Sequence, residues 1–120
     1  MPETSEITHS GNGNTTNADP VAFASLILND HSSAHLNVRA IARCAANADT
    51  KMWEFSAFVK RTGETASITY TPTSPFGDAG AVGWGITIEE DGEFLNIVAT
   101  GQTDTQIAWY ITTVVRYIVD

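Results

Sequence analysis

Residues 51–61 read Lys51-Met52-Trp53-Glu54-Phe55-Ser56-Ala57-Phe58-Val59-Lys60-Arg61. Trp53, Phe55, Ala57 and Val59 fall on one side of an extended chain, and Glu54, Ser56 and Lys60 on the other. A period of two marks a strand with one covered face. The same period recurs upstream, where Leu36, Val38, Ala40 and Ala42 alternate with Asn37, Arg39 and Arg43. The alanines at 40, 42, 45 and 46 leave a helix open there as a second reading. Downstream, Thr62-Gly63-Glu64 is a turn and Thr65 to Thr71 is rich in β-formers, so a hairpin is expected.

The pattern continues outward. Val21 to Leu28 is an apolar run of strand length, closed by Asn29-Asp30. Pro72 to Gly80, with two prolines and two glycines, reads as a loop. Val82, Trp84, Ile86 and Ile88 alternate with Gly83, Gly85, Thr87 and Glu89. Asp91-Gly92 is a tight-turn pair, and Phe94 to Thr100 is its partner strand. After a turn at 101–104, Ile107, Trp109, Ile111, Val115, Tyr117 and Val119 mark one face of a last strand. Its other face carries Ala108, Tyr110, Val114 and Ile118. A strand apolar on both faces is central in a covered sheet or pressed on another molecule. Its length, about 50 Å if straight, calls for a bend or bulge in a small monomer, or for subunit packing.

Seven or eight short strands with little helix predict an all-β protein, a two-sheet antiparallel β-sandwich of jelly-roll-like type. The expected core is Trp53, Phe55, Val59, Trp84, Ile86, Ile107, Trp109 and Ile111. Tyr110, Val114 and Ile118, with Ile7 near the start, are the expected interface residues. Ile7-Thr8-His9 reads as a short strand or part of an arm, and the cluster Gly11-Asn12-Gly13-Asn14-Thr15-Thr16-Asn17 as a flexible linker or long loop, so residues 1–20 are expected to be a flexible arm and 21–120 the β-sandwich.

Composition narrows the function. The 120 residues hold 6 Lys+Arg against 14 Asp+Glu, a net charge of −8. Scattered bases on an acidic chain argue against nucleic acid as a partner. No apolar run approaches the ~20 residues of a membrane-spanning helix. The first residues lack the basic start and apolar core of a secretory signal, so synthesis and folding in a host cytoplasm are expected. One cysteine, Cys44, excludes an intrachain disulfide and a multi-cysteine metal site.

Chemistry-bearing motifs are sparse. His31 and His35, four apart beside Asp30, lack the further ligands a metal needs. Glu89-Glu90-Asp91-Gly92-Glu93 is too short for a calcium loop and reads as a solvated hairpin tip. Gly80 to Gly85 lacks the Lys-Ser/Thr and the helix of a phosphate loop. Cys44 sits in no nucleophile motif. Tyr70, Phe76 and Tyr110 are the aromatics available for a sugar platform. No metal or other cofactor is expected, and no catalytic residue is assigned.

The strand 51–61, the Trp84 segment, Phe94-Leu95-Asn96-Ile97-Val98-Ala99-Thr100-Gly101 and the closing Ile107-Ala108-Trp109-Tyr110-Ile111 resemble small all-β modules of tailed-bacteriophage virion proteins. Those modules include head-decoration (cement) proteins, head fibres and tail or fibre domains. The resemblance covers residues 21–120. It implies a non-enzymatic structural protein of the virion surface, first of all a capsid decoration subunit. It further implies a homo-oligomer, a trimer by preference, bound to the major capsid protein or to a neighbouring tail or fibre protein. A carbohydrate-binding, lectin-like module or a tail-fibre receptor-binding domain is the alternative.

Overall fold

A computed structural model describes residues 3–27, 29–63, 65–70, 75–91 and 94–119. Nine strands are present among them. They are β1 (Glu3–Thr15), β2 (Val21–Ile27), β3 (Ser32–Arg43), β4 (Thr50–Thr62), β5 (Thr65–Tyr70), β6 (Phe76–Gly77), β7 (Gly85–Asp91), β8 (Phe94–Thr100) and β9 (Ile107–Val119). They form two antiparallel sheets. The larger has the order β1-β9-β3-β4-β5, with β6 also on β4; the smaller has the order β2-β8-β7. The fold is an all-β sandwich.

Alternation decides which side chains meet between the sheets. From the large sheet come Leu36, Val38, Ala40 and Ala42, then Trp53, Phe55, Ala57 and Val59, then Ile107, Trp109 and Ile111. The small sheet returns Leu26, Ile86, Ile88, Leu95, Ile97 and Ala99. All eight side chains expected in the core are buried. The alanine-rich segment is strand β3 through Arg43, not helix. Its alanines have a packing role. β3 lies between β4 and β9, with Ala40 opposite Trp53 and Ala42 opposite Trp109. Small side chains on the central strand let two large ones reach over it. The Trp53 and Trp109 rings stack at 5.5 Å between centroids. Trp84 and Phe23 approach the Trp109 ring at 6.4 and 6.3 Å. The Trp109 indole N–H donates to the Thr15 hydroxyl at 2.8 Å, so its one polar atom is satisfied inside the core.

The N-terminal segment differs from the expected arm. Glu3–Thr15 is a 13-residue edge strand paired with β9 along its whole length. The glycines that suggest a linker serve close packing instead. A β-bulge between Ala22 and Ala24 makes Phe23 the extra residue of β2, and a bulge re-aims its side chain. Phe23 lies directly on β1. A Cβ on Gly13 would come within 2.6 Å of its ring, and one on Gly11 would collide with its backbone oxygen. Composition alone cannot separate a glycine kept for flexibility from one kept for contact.

β9 shows no register shift against either neighbour, so it carries no bulge. The molecule is simply long, 53 × 22 × 21 Å, and a straight 13-residue strand fits along its axis.

The segment 82–84 departs from the strand expected there. Ala79–Ala81 forms a 3-10 turn, Val82 is exposed, and β7 begins only at Gly85. Local bonds hold this coil: the Ala81 N–H donates to Asp78 O and the Trp84 N–H to Ala81 O. A tertiary bond completes it. Lys51 is on the inner face of β4 and 8% exposed. Its ammonium donates to the carbonyls of Val82 at 3.1 Å and Trp84 at 2.8 Å, and sits 5.4 Å above the Trp53 ring. Burial lowers its pKa below the ordinary 10.5.

Candidate binding face

The face of the large sheet turned away from the core is the candidate site. Strand parity puts His35, Asn37, Arg39, Ile41 and Arg43 of β3 on it. β4 adds Met52, Glu54, Ser56, Phe58 and Lys60, and β9 adds Tyr110, Thr112, Val114, Arg116 and Ile118. Register then sorts these into rows across the strands. Asn12 is opposite Tyr110, Tyr110 opposite Ile41, Ile41 opposite Met52, and Met52 opposite Phe76. The four large side chains of this row are 43–78% exposed. With strands about 4.8 Å apart, Tyr110 to Phe76 spans roughly 14 Å.

Polar rows bound this shelf. On one side, Asn14, Ala108, Arg43 and Thr50 follow one another across the sheet; on the other, Ser10, Thr112, Arg39 and Glu54 do. Arg39 and Glu54 form an ion pair at 3.4 Å with both side chains more than 60% exposed. Such a pair contributes only ~0–1 kcal/mol, so the guanidinium is open to a better acceptor. Further along, Arg116 donates to Glu6 at 3.1 Å. The face encloses a trough of about 1370 Å³ lined by His35, Arg39, Ile41, Met52, Glu54, Phe58, Phe76 and Tyr110, among others. Of the eleven large apolar side chains exposed among the described residues, six lie here: Ile41, Met52, Phe58, Phe76, Tyr110 and Ile118. Four of them, Tyr110, Ile41, Met52 and Phe76, are contiguous, and such a patch is a candidate binding surface.

The expected interface residues divide. Tyr110 and Ile118 are half exposed on this face, and Val114 is partly buried on it. Ile7 pairs with Val115, so it faces the small sheet's side of β1 and does not join them. Of the expected sugar-platform aromatics, Phe76 and Tyr110 share one row, while the Tyr70 side chain lies outside the described ones. Sequence reasoning missed Ile41 and Met52, which complete the row. Their parity with Arg39 and Glu54 was a readable signal, but the pairing of β6 with β4 was not.

The remaining motifs stay apart. His31 is in a turn 3.7 Å from Asp30, and His35 is on the strand face rather than in a loop. Among the described residues no three His, Cys, Asp or Glu side chains converge as a metal site. The Asp30 carboxylate accepts the Gly63 N–H at 2.6 Å, which holds its pKa below the usual 3.8. That bond ties the turn after β2 to the turn after β4. Glu89, Glu90 and Asp91 are exposed at a hairpin end; Gly92 and Glu93 lie outside the described residues. Cys44 is buried. No helix among the described residues is long and apolar enough to cross a membrane.

The fold defines a class: a β-sandwich module with an exposed aromatic row on its larger sheet. No protein-family model and no curated protein matches the chain. Solved structures do. The tailspike of Acinetobacter baumannii bacteriophage Fri1, a capsular polysaccharide depolymerase, superposes with a TM-score of 0.60 at 13% identity, over 97% of this chain and 17% of that one. The tailspike of Acinetobacter baumannii phage AM24 matches at 0.47 and 13% identity, over 98% of this chain and 26% of that one. The tailspike of Acinetobacter phage vB_ApiP_P1 matches at 0.40 and 22% identity, over 85% and 21%. The chain thus has the fold of a module present in a phage tailspike, and spans about a sixth of that protein's length.

Two expectations are corrected here. The structure that superposes at 0.60 is a tailspike, so the capsid-decoration reading gains no counterpart. The expectation that the chain is not an enzyme does not stand either. This fold occurs as part of a depolymerase, and 120 residues without a catalytic motif do not set the chain apart from such a protein.

Proposed function

We propose that the chain is a receptor-binding module of a phage tail protein, carried in the virion, and that the outer face of its large sheet contacts host cell-surface polysaccharide. One observation carries this reading: a 14 Å row of exposed aromatic and aliphatic side chains, Tyr110-Ile41-Met52-Phe76, bordered by Asn, Ser, Thr and Arg, on a fold shared with a tailspike. Sugar rings present apolar C–H faces and hydroxyl edges. Sites for such ligands combine a flat apolar floor with a few placed polar groups. The reading includes self-association into a homo-oligomer, by the resemblance a trimer, with neighbouring tail proteins as partners. Val114 and Ile118, at the opposite end of the face, and Ile7 behind it supply apolar contacts for that purpose.

The test uses fluorescently labelled chain on capsulated Acinetobacter baumannii strains and on capsule-free derivatives of each. Retention on at least one capsulated strain, absent from its capsule-free derivative and lost in the Tyr110→Ala/Phe76→Ala double variant, is the expected result. Equal retention with and without capsule across the panel refutes the polysaccharide reading.

A further inference from the structure

The distribution of charge on the binding face says more than its aromatic content. The chain carries −8. The outer face of the large sheet carries the opposite sign: Arg39, Arg43, Lys60 and Arg116 against Glu6, Glu54 and Asp78, which bonds Thr50 at its edge, a local balance of +1. Four of the chain's six basic residues are therefore gathered on one face. Other acidic residues are placed elsewhere, at the Glu89–Asp91 hairpin end and in turns at Asp19, Asp30 and Asp104.

Two of those bases stand beside the aromatic row. Ile41 lies in the row, and Arg39 and Arg43 are two residues before and after it on the same face of β3. At ~3.4 Å per residue each guanidinium is rooted about 7 Å from the row's axis. Arg39 is shared with the exposed Glu54 carboxylate. Arg43 forms no ion pair among the described residues. A guanidinium binds a carboxylate through two parallel N–H···O bonds, in a geometry that an ammonium cannot copy.

We infer that the Tyr110-Ile41-Met52-Phe76 row, flanked by Arg39 and Arg43, is a subsite for an acidic glycan whose sugar carboxylates are taken by the two arginines. This inference rests on the polysaccharide reading and narrows it to one substrate class. The apolar shelf takes the ring faces and is indifferent to charge. The arginines supply the discrimination, because a neutral sugar leaves them solvated and gains nothing from them. Binding is accordingly salt-sensitive, since exposed charges are screened over about 10 Å at 0.1 M.

The experiment titrates the full chain, by calorimetry at 20 and 200 mM NaCl, with polygalacturonate, carboxyl-reduced polygalacturonate and dextran. Polygalacturonate is expected to bind at least tenfold more tightly than its carboxyl-reduced form at low salt, and to weaken at high salt. Arg39→Gln/Arg43→Gln is expected to abolish that preference. Tyr110→Ala weakens binding to both polymers, and Ile27→Ala, exposed on the small sheet away from this face, leaves it unchanged. Thermal melts of each variant establish that it is folded. Equal binding of the two polygalacturonate forms, or binding of neither, overturns the acidic-glycan inference. The polysaccharide reading then stands or falls on the capsulated strains alone. Retained preference in the double arginine variant places the acidic site elsewhere and also overturns it. A Tyr110→Ala variant that changes the mass in solution while leaving glycan binding intact assigns the row to contact between copies, again against the inference.

Discussion

Gly13 offers the sharpest test of how the sandwich is closed at its N-terminal edge. If Gly13 is present because Phe23 lies on it, then Gly13→Ala must push the added methyl into that ring, 2.6 Å away in the undisturbed geometry. Ordinary carbon contacts are 3.5–4.0 Å, so ring or strand must yield by about 1 Å. Overpacking of this kind costs about 1–3 kcal/mol. Removing the ring reverses the sign. In a Phe23→Ala background that collision is gone, and alanine is favoured over glycine in a strand by roughly 0.5–1 kcal/mol. The two sites should therefore couple by about 1.5–4 kcal/mol. Urea unfolding followed by tryptophan fluorescence reads this directly, because Phe23 contacts Trp109. Gly11 is an internal control. Its added Cβ would meet the Phe23 backbone oxygen, which Phe23→Ala does not remove, so Gly11→Ala should stay destabilising in both backgrounds. If Gly13→Ala proves neutral in the wild-type chain, or equally costly in the Phe23→Ala background, the glycines are not there for contact and the account of the edge strand is wrong.

Two further predictions concern buried polar groups. Lys51→Met keeps the aliphatic stem but strands the Val82 and Trp84 carbonyls, and should cost about 1–3 kcal/mol in chemical denaturation. It should also alter the pH dependence. The folded pKa of Lys51 is depressed, so the unfolded chain binds more protons and wild-type stability rises as pH climbs toward 10.5. The difference between wild type and Lys51→Met should widen in that direction, and a flat difference would rule the linkage out. Thr113 is fully buried, and its hydroxyl has no hydrogen-bond partner among the described residues. Thr113→Val should raise the melting temperature by a few degrees, about 1 kcal/mol, and a fall would show that the hydroxyl is satisfied.

What the sequence revealed and what it hid follow from how far each signal reaches. Strand identity and inner faces rest on period two, a local property, and the buried sets on β3, β4 and β9 were legible from it. Lys51 follows the same parity and groups with Trp53 and Phe55, yet a charged residue on that face reads as an error until its two carbonyl partners are located 31 and 33 residues away. β1 was hidden for the opposite reason. Its thirteen residues hold one large apolar side chain, Ile7, because its inner face is occupied by a ring from β2. The candidate site was half visible. Tyr110 and Phe76 were recognised as exposed aromatics, but only strand register, a relation between segments up to 98 residues apart, aligns Asn12, Tyr110, Ile41, Met52 and Phe76 in one row.

The pairing of β1 with β9 also decides how the molecule bears load. Glu3 and Val119, near opposite ends of the chain, are register partners, about 5 Å apart at one extremity of a 53 Å body. Tension applied through the two ends acts along the interstrand hydrogen bonds, not across the whole ladder at once. It opens them one pair at a time, as a zipper, beginning at residue 3. A module pulled this way peels at low force, whereas one held by a single end, with the other free, feels no tension between those ends. Anchoring from one terminus would leave the sheet face intact under drag.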